Sequence, residues 1–177
     1  LVDTDWQDAL FREAPIQSYD LSASGGNKNL KYFISGNYFS QEGIIQGSGY
    51  EKYSFRTNLE AQLNDKLRIS LSLTPSLSNS DLVPAENPYF VDGVVNLALL
   101  MPPTDSIYKE DGSYNFDQSS SSSAGAFVNP LALANGIDDT LKQFRFLGNI
   151  KVDAEILENL NASTSFGLDF NSFNRNY

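Results

Sequence analysis

The amino-acid sequence predicts an all-β chain that forms an antiparallel segment of a transmembrane β-barrel. The first observation is a period of two, because apolar and polar residues alternate in six stretches, as in strands with one apolar and one polar face. The second is that the connections alternate in length, short and then long, as periplasmic turns and extracellular loops do. The third is strand length: the stretches run roughly 8–14 residues, and a tilted strand that crosses a bilayer needs about 9–11.

Composition removes several classes of function. The chain has 177 residues, of which 41% are hydrophobic and 12% aromatic, so it is long and apolar enough to be ordered. It contains no Cys and no His, which excludes disulfides, thiolate sites, His-dependent catalytic triads and His-ligated zinc. A net charge of −10 with scattered Lys and Arg argues against a nucleic-acid partner.

The longest apolar run, residues 94–101, is too short to cross a bilayer as a helix and ends at Pro102. Strands therefore have to carry the chain through any membrane. The chain begins at Leu1 without a leader peptide, so we expect a processed or truncated piece of a longer protein.

The first half of the chain is predicted to hold a short helix and four strands. Residues 1–15 form the end of an extracellular loop, in which residues 4–12 are helical because Thr4 or Asp5 can cap them and Pro15 stops them. The four strands occupy residues 16–78 and are separated by the turn 25–29, the loop 41–51 and the turn 64–66.

The second half is predicted to hold a long insertion and two more strands. Residues 79–141 form an extracellular loop of about sixty residues, a length unusual enough to be functional. Within it we expect a helix from Pro88 to Met101, a turn at Asp111-Gly112 and a flexible tract from Ser119 to Ser123. Residues 142–172 form strands five and six around a tight turn at residues 158–159.

The alternation also assigns side chains to the two faces of the wall. The residues predicted to face lipid are Phe55, Leu59, Leu71, Ile150 and Phe166. The residues predicted to face the lumen are Arg56, Asn58, Ser70 and Asp153. The helix in the insertion is more apolar than a solvated loop requires, so we expect it to fold over the barrel mouth. Its candidate contacts with a partner protein are Leu97 and Leu100.

No pattern of residues indicates catalysis. Asp153 and Glu155 are about 6.6 Å apart along one strand, which suits an inverting glycosidase, but charges on a lumen wall explain them better. The Ser119 to Ser123 tract has no His base, and Asp111-Gly112 lacks the spacing of an EF-hand. We therefore expect a chain that is not an enzyme and that has no catalytic, metal or cofactor site.

The most recognisable block of sequence runs from Thr4 to Ile45. It contains T-D-W-Q-D at 4–8, L-S-A-S-G-G-N at 21–27, K-Y-F-I-S-G at 31–36 and Q-E-G-I-I at 41–45. Together with residues 53–63, Met101-Pro102-Pro103 and Asp111-Gly112, this block resembles the SusC/RagA family of TonB-dependent outer-membrane transporters.

The resemblance implies a barrel of roughly 22 strands with a plugged lumen, of which six strands are about a quarter of the wall. It also implies a place in the bacterial outer membrane, an oligosaccharide or peptide as substrate, and a SusD-like lipoprotein as the extracellular partner. Outer-membrane lipid is a further expected partner, and TonB would bind through an N-terminal part that is missing here. Nothing in the chain resembles a plug domain.

The alternative is a soluble β-sheet module that binds glycans. Such a module also alternates, but it would cover its apolar face with a second sheet. A barrel wall leaves that face uncovered by protein, so the two classes differ in one observable feature.

Overall fold

The computed structural model describes residues 2–84, 93–116 and 128–177, which form one sheet with a helical cluster at one end. Every neighbouring pair of strands is antiparallel, and the order in the sheet is the order in the sequence. The prediction of six antiparallel strands is therefore confirmed, and the sheet is not closed. The strands are β1 (Ile16–Gly26), β2 (Leu30–Glu42), β3 (Gly49–Asn64), β4 (Leu67–Leu82), β5 (Asp139–Leu157) and β6 (Leu160–Asn176).

Several strands are longer than the alternation predicted. β4 continues to Leu82 and β5 begins at Asp139, so the long connection covers residues 83–138 rather than 79–141. β6 continues to Asn176 instead of ending at residue 172. The residues added to β4 and β6 are mostly polar on both faces, so they do not alternate between apolar and polar. Their backbones nevertheless continue to pair with β5.

The short turns have the chemistry expected of them. The Asn27 side chain accepts hydrogen bonds from the backbone N–H groups of Asn29 and Leu30, at 2.8 and 2.9 Å. The Asn64 side chain accepts one from Lys66 N–H at 2.8 Å. Asn159 has a φ of 70°, a left-handed conformation that Asn tolerates. These local bonds reverse the chain within two or three residues.

Within the described residues, three short helices accompany the sheet, namely α1 (Trp6–Leu10), α2 (Val94–Leu100) and α3 (Pro130–Gly136). Of the two predicted caps, Asp5 caps α1 by accepting hydrogen bonds from the N–H groups of Gln7 and Asp8, and the helix is shorter than the predicted span of residues 4–12. α2 is shorter than the predicted helix from Pro88 to Met101, because Gly93 has an extended backbone. Residues 88–92 and the Ser119 to Ser123 tract lie outside the described residues. No helix in the described ranges is long and apolar enough to cross a membrane.

The packed core lies among the helices rather than in the sheet. Trp6 Nε1 donates to the carbonyl of Pro102 at 2.9 Å, and Gln46 N–H donates to that of Leu10 at 3.0 Å. The three helices and residues 43–48 therefore form one unit, which we name the loop cluster. Its buried apolar residues are Trp6, Leu10, Val94, Leu97, Ala98, Leu131, Ala132 and Ala134, together with Met101 directly after α2.

Candidate functional site

The strand register fixes which side chains share a face. Residues paired directly across antiparallel strands point to the same side of a sheet. Phe55 is on the same face as Leu59 because the two are four residues apart on β3. All five residues predicted to face lipid therefore lie on one side of the sheet, which we name the apolar face. One row of this face runs through Tyr32, Leu59, Leu71, Ile150 and Phe166.

The apolar face has a defined extent along the strands. On β4, apolar side chains occupy every second position from Leu67 to Leu77, and Asn79 and Asp81 follow on the same face. Ten steps along a strand cover about 34 Å, or about 26 Å along the bilayer normal at a tilt of roughly 40°. The apolar band of an outer-membrane barrel is about 25 Å tall, so β4 alone has the required length.

A row of polar residues closes the apolar face at its loop-cluster end. Just below this polar row, Tyr19, Tyr38 and Tyr53 stand side by side, with ring centroids 6.3 and 4.9 Å apart. Tyr38 donates its hydroxyl to Glu51 in the polar row at 3.1 Å. Aromatic rings with a wet polar tip are typical of the edge of a membrane band. The polar row consists of Gln17, Ser40, Glu51, Asn79, Lys142 and Asn174.

Nothing in the described part of the chain covers the apolar face. Leu21 is 81% exposed, Phe55 is 44% exposed and Phe166 is 69% exposed. All six described strands belong to one sheet, so none of them forms a second layer. The face is therefore available for a non-protein surface.

The opposite side, the polar face, is cross-linked by hydrogen bonds between strands. It carries all four residues predicted to face the lumen. Arg56 and Asn58 alternate with Phe55 on β3, Ser70 is two residues from the partner of Asn58 on β4, and Asp153 is paired with Arg68, two residues from Ser70. Bonds from Ser72 to Asn58, at 2.8 Å, and from Asn37 to Asp20, also at 2.8 Å, join neighbouring strands. Small polar residues thus stabilise the sheet while leaving this side wet.

Charges on the polar face are largely paired with each other. Lys151 lies 2.8 Å from Asp153, and Arg145 donates two hydrogen bonds to Asp169 at 2.9 and 3.3 Å. Asp153 is therefore held by a cation on its own strand, which favours the interpretation as a wall charge over a catalytic carboxylate pair with Glu155. Within the described ranges, no group of three or more His, Cys, Asp or Glu could hold a metal ion.

The turn at Asp111-Gly112 forms as predicted. Gly112 has a φ of 82°, and Asp111 accepts hydrogen bonds from the Ser113 hydroxyl at 2.6 Å and the Ser113 N–H at 2.9 Å. These bonds, the one from the hydroxyl first, lower the pKa of the Asp111 carboxyl. The carboxylate therefore has local partners of its own and closes a tight, exposed turn.

Asn129 joins two parts of the long connection. Its side-chain oxygen accepts hydrogen bonds from the N–H groups of Leu131 and Ala132, which caps α3. Its amide donates to the carbonyls of Ile107 and Asn115, at 2.9 and 3.2 Å. Because Asn129 is fully buried, one side chain holds α3 against residues 107–115.

The two predicted partner contacts occupy different environments. Leu97 is 2% exposed, so it belongs to the interior of the loop cluster and is not available to a partner in this structure. Leu100 is 51% exposed and its neighbour Leu99 is 61% exposed. The outer surface of α2 is therefore carried by Leu99 and Leu100.

Sequence reasoning missed α3, the bridging role of Asn129 and an ion pair at the loop end of β5 and β6. In that pair, Arg175 Nε donates to Asp139 Oδ1 at 2.7 Å and Arg175 Nη2 to Oδ2. The dipeptide Asn129-Pro130 contained a usable signal, because Asn is a favoured N-cap and Pro is favoured at the first helical position. The ion pair joins residues 36 positions apart and had no local signal.

Comparison with known proteins gives relatives over nearly the whole chain, although no family model matches it. TonB-dependent receptor P26 of Formosa agariphila is 36% identical over 178 residues, which cover 98% of this chain and 17% of that receptor. TonB-dependent receptor P3 of the same organism is 31% identical over 93% of this chain and 16% of its own length. TonB-dependent receptor SusC of Bacteroides thetaiotaomicron is 27% identical over 95% of this chain and 18% of its own length.

The chain is homologous to one segment of the TonB-dependent receptors. The resemblance inferred from the sequence is thus confirmed, and the chain spans about a sixth of the length of these receptors. A structure of the RagAB peptide transporter matches with a TM-score of 0.78 at 22% identity, over 97% of this chain and 19% of that one. The RagAB peptide importer in its closed-closed state matches with a TM-score of 0.76. The chain therefore has the same fold as one segment of these RagAB structures.

Proposed function

We propose that this chain forms part of the wall and outer surface of an outer-membrane importer of the TonB-dependent receptor type. The observation that carries the proposal is the apolar run on β4, from Leu67 to Leu77, which has the length of a bilayer-crossing strand and ends in polar residues on the same face. In this proposal, the apolar face contacts lipid and the polar face lines the lumen. The short turns lie in the periplasm and the loop cluster lies outside the cell.

The importer would take up oligosaccharides or peptides, with energy delivered by TonB through an N-terminal part of the full-length protein. Support comes from the relatives, which include SusC and a structure described as a peptide importer. The segment itself performs no bond chemistry in this proposal. Its contribution is a wall that is stable in lipid on one side and hydrated on the other.

The loop cluster is proposed as a seat for a SusD-like lipoprotein. Its buried core and the hydrogen bonds of Asn129 give it a fixed shape, and Leu99 and Leu100 present apolar surface outward from α2. At the same end of the sheet, the two buried strand residues, Ser78 and Asp139, lie on the polar face. This burial supports a cluster that leans over the lumen side.

The second candidate is the soluble module that binds glycans. It requires a protein layer over the apolar face, and the described residues leave that face exposed. The exposed face therefore favours the barrel wall.

Epitope tags in the full-length receptor test the location and orientation. A tag after the exposed Gly112 should bind antibody on intact cells, whereas a tag after the exposed Asp65 should bind only after the outer membrane is permeabilised. Heat-dependent migration on gels checks that both receptors are folded. Equal labelling of the two tags on intact cells, or a folded receptor that fractionates away from the outer membrane, would contradict the proposal. Loss of labelled oligosaccharide or peptide uptake on deletion of the receptor gene tests the transport role.

A further inference from the structure

A groove of about 540 Å³ interrupts the apolar face beneath the three tyrosines. Its floor is Gly36, which is paired with Leu21 on β1 and Phe55 on β3. A Cβ added to Gly36 would meet no atom within 4 Å, so the space above Gly36, between the side chains of Leu21 and Phe55, is open. The volume lies in the range of about 300–1,000 Å³ that is usual for small-molecule sites.

Pro75 extends the groove across β4. The β3 and β4 ladder pairs Ser54 with Ser76 and Thr57 with Leu73 but skips the positions between them. Proline has no N–H to donate to a ladder, which accounts for the gap. Gly36 on one side of Phe55 and the compact ring of Pro75 on the other leave a depression that crosses three strands.

The groove is apolar at its floor and opens towards the polar row. Phe144 lines it, and Lys142 follows two residues away on the same face, in the polar row. Within the described residues, Lys142 is exposed and has no ion pair. Tyr38, at the rim, already bonds to Glu51. The site thus offers an apolar depression with a cation and polar hydroxyl groups at one end.

We propose that this groove binds one acyl chain of an outer-leaflet lipid, with the anionic headgroup of that lipid beside Lys142. The inference rests on the proposed membrane location. An acyl lipid fits because the groove is continuous with the apolar band and because the cation lies at the height where a headgroup begins. A lipid bound here occupies a defined position, in contrast to lipids that exchange freely along the rest of the wall.

Photo-crosslinking in the full-length receptor tests the site. The receptor is reconstituted in phosphatidylethanolamine vesicles that contain a small fraction of phosphatidylglycerol with a diazirine in the upper half of one acyl chain, on the headgroup side. After irradiation, mass spectrometry of peptides maps the labelled residues. Labelling of Leu21, Phe55 and Leu77 should exceed labelling of Leu168 and Phe170, which lie at a similar depth on β6 outside the groove, on the order of tenfold. Lys142→Gln should reduce the excess.

Gly36→Trp should abolish the excess at the groove and leave the labelling of Leu168 and Phe170 unchanged. Thr164→Trp, on the same face but away from the groove, is the matched control and should change neither. If the receptor that carries Gly36→Trp does not assemble, Gly36→Leu fills the same floor with a smaller side chain and should give the same loss.

Three results would overturn the inference. Even labelling of all five positions in the wild type would mean only freely exchanging lipid. An excess at the groove that survives both Gly36 substitutions would place the lipid elsewhere. Sparse labelling of the groove together with a receptor dimer that Gly36→Trp dissociates would mean that a second copy covers it. If no position on the apolar face is labelled, the membrane location itself fails, which separates that failure from failure of the groove.

Discussion

A charge placed on the apolar face should destabilise the receptor much more than the same charge placed one residue away. Leu71 and Ser70 are neighbours at the middle of β4, at the same depth in the wall, but they point to opposite faces. Leu71 is four residues from Leu67 and six from Leu77, so it lies near the centre of the apolar run. An Arg at the bilayer midplane of a barrel costs about 2–4 kcal/mol, and near an interface about 0–1 kcal/mol.

We therefore expect Leu71→Arg to lower the free energy of unfolding by about 2–4 kcal/mol. Ser70→Arg should change it by about 0.5 kcal/mol or less, because its side chain lies between Glu60 and Lys151 on the polar face, which we propose lines the lumen. Asp81→Arg is a second control on the same strand and the same face, beyond the apolar run, and should cost about 0–1 kcal/mol.

The measurement is reversible guanidinium unfolding of the full-length receptor in lipid vesicles, followed by tryptophan fluorescence and checked by heat-dependent migration on gels. Unchanged denaturant dependence among the variants keeps the comparison within one unfolding reaction. Equal costs at Leu71 and Ser70 would refute the assignment of faces. A large cost at Asp81 equal to that at Leu71 would refute the extent of the band instead.

Three further outcomes follow from the same structure. Asn129→Ala removes a buried cap and two donated hydrogen bonds, so protease sensitivity and hydrogen exchange of residues 105–116 and 129–136 should rise with barrel assembly intact. Unchanged exchange would argue against the bridging role. Leu100→Asp should weaken pull-down of the proposed SusD-like lipoprotein without raising protease sensitivity, because Leu100 is exposed. Leu97→Asp should weaken the pull-down and also raise protease sensitivity, because Leu97 is buried. Unchanged pull-down by Leu100→Asp would mean that this surface does not contact the partner. The isolated chain should not sediment as a monomer in water, because β1 and β6 leave open edges and the apolar face is uncovered; a soluble monomer that melts cooperatively would contradict the membrane assignment.

The strands and their faces were predictable because one physical requirement acts on each strand alone. A sheet with one apolar and one polar face imposes a period of two on its strands, so the chemistry of Leu59 and Asn58 themselves indicates the face on which each lies. The turns at Asn27 and Asn159 were also predictable, because Asn favours tight turns through its own local chemistry. Where both faces become polar, as beyond Ser78 on β4, that requirement ends and the predicted strand ended too early.

The loop cluster was less predictable because long-range packing decides it. Leu97 and Leu100 have the same chemistry and lie three residues apart in α2, yet one is buried and the other exposed. The difference depends on where α1 and α3 pack, and the sequence pattern of α2 contains no information about that. The predicted partner contact at Leu97 was drawn from apolarity alone, which cannot separate a core residue from an exposed one.

The groove at Gly36 illustrates a third kind of information, which only the register supplies. In the sequence, Gly36 is one small residue in an imperfectly alternating strand, and Pro75 lies 39 positions away. Pairing places Gly36 between Leu21 and Phe55, and the register of the flanking pairs places Pro75 opposite Phe55, so two compact residues from different strands contribute to one depression. The same pairing gathers six scattered polar residues into the row that closes the apolar face. A surface that recognises one lipid, rather than merely tolerating all of them, requires that kind of coincidence across strands, and a single strand cannot encode it.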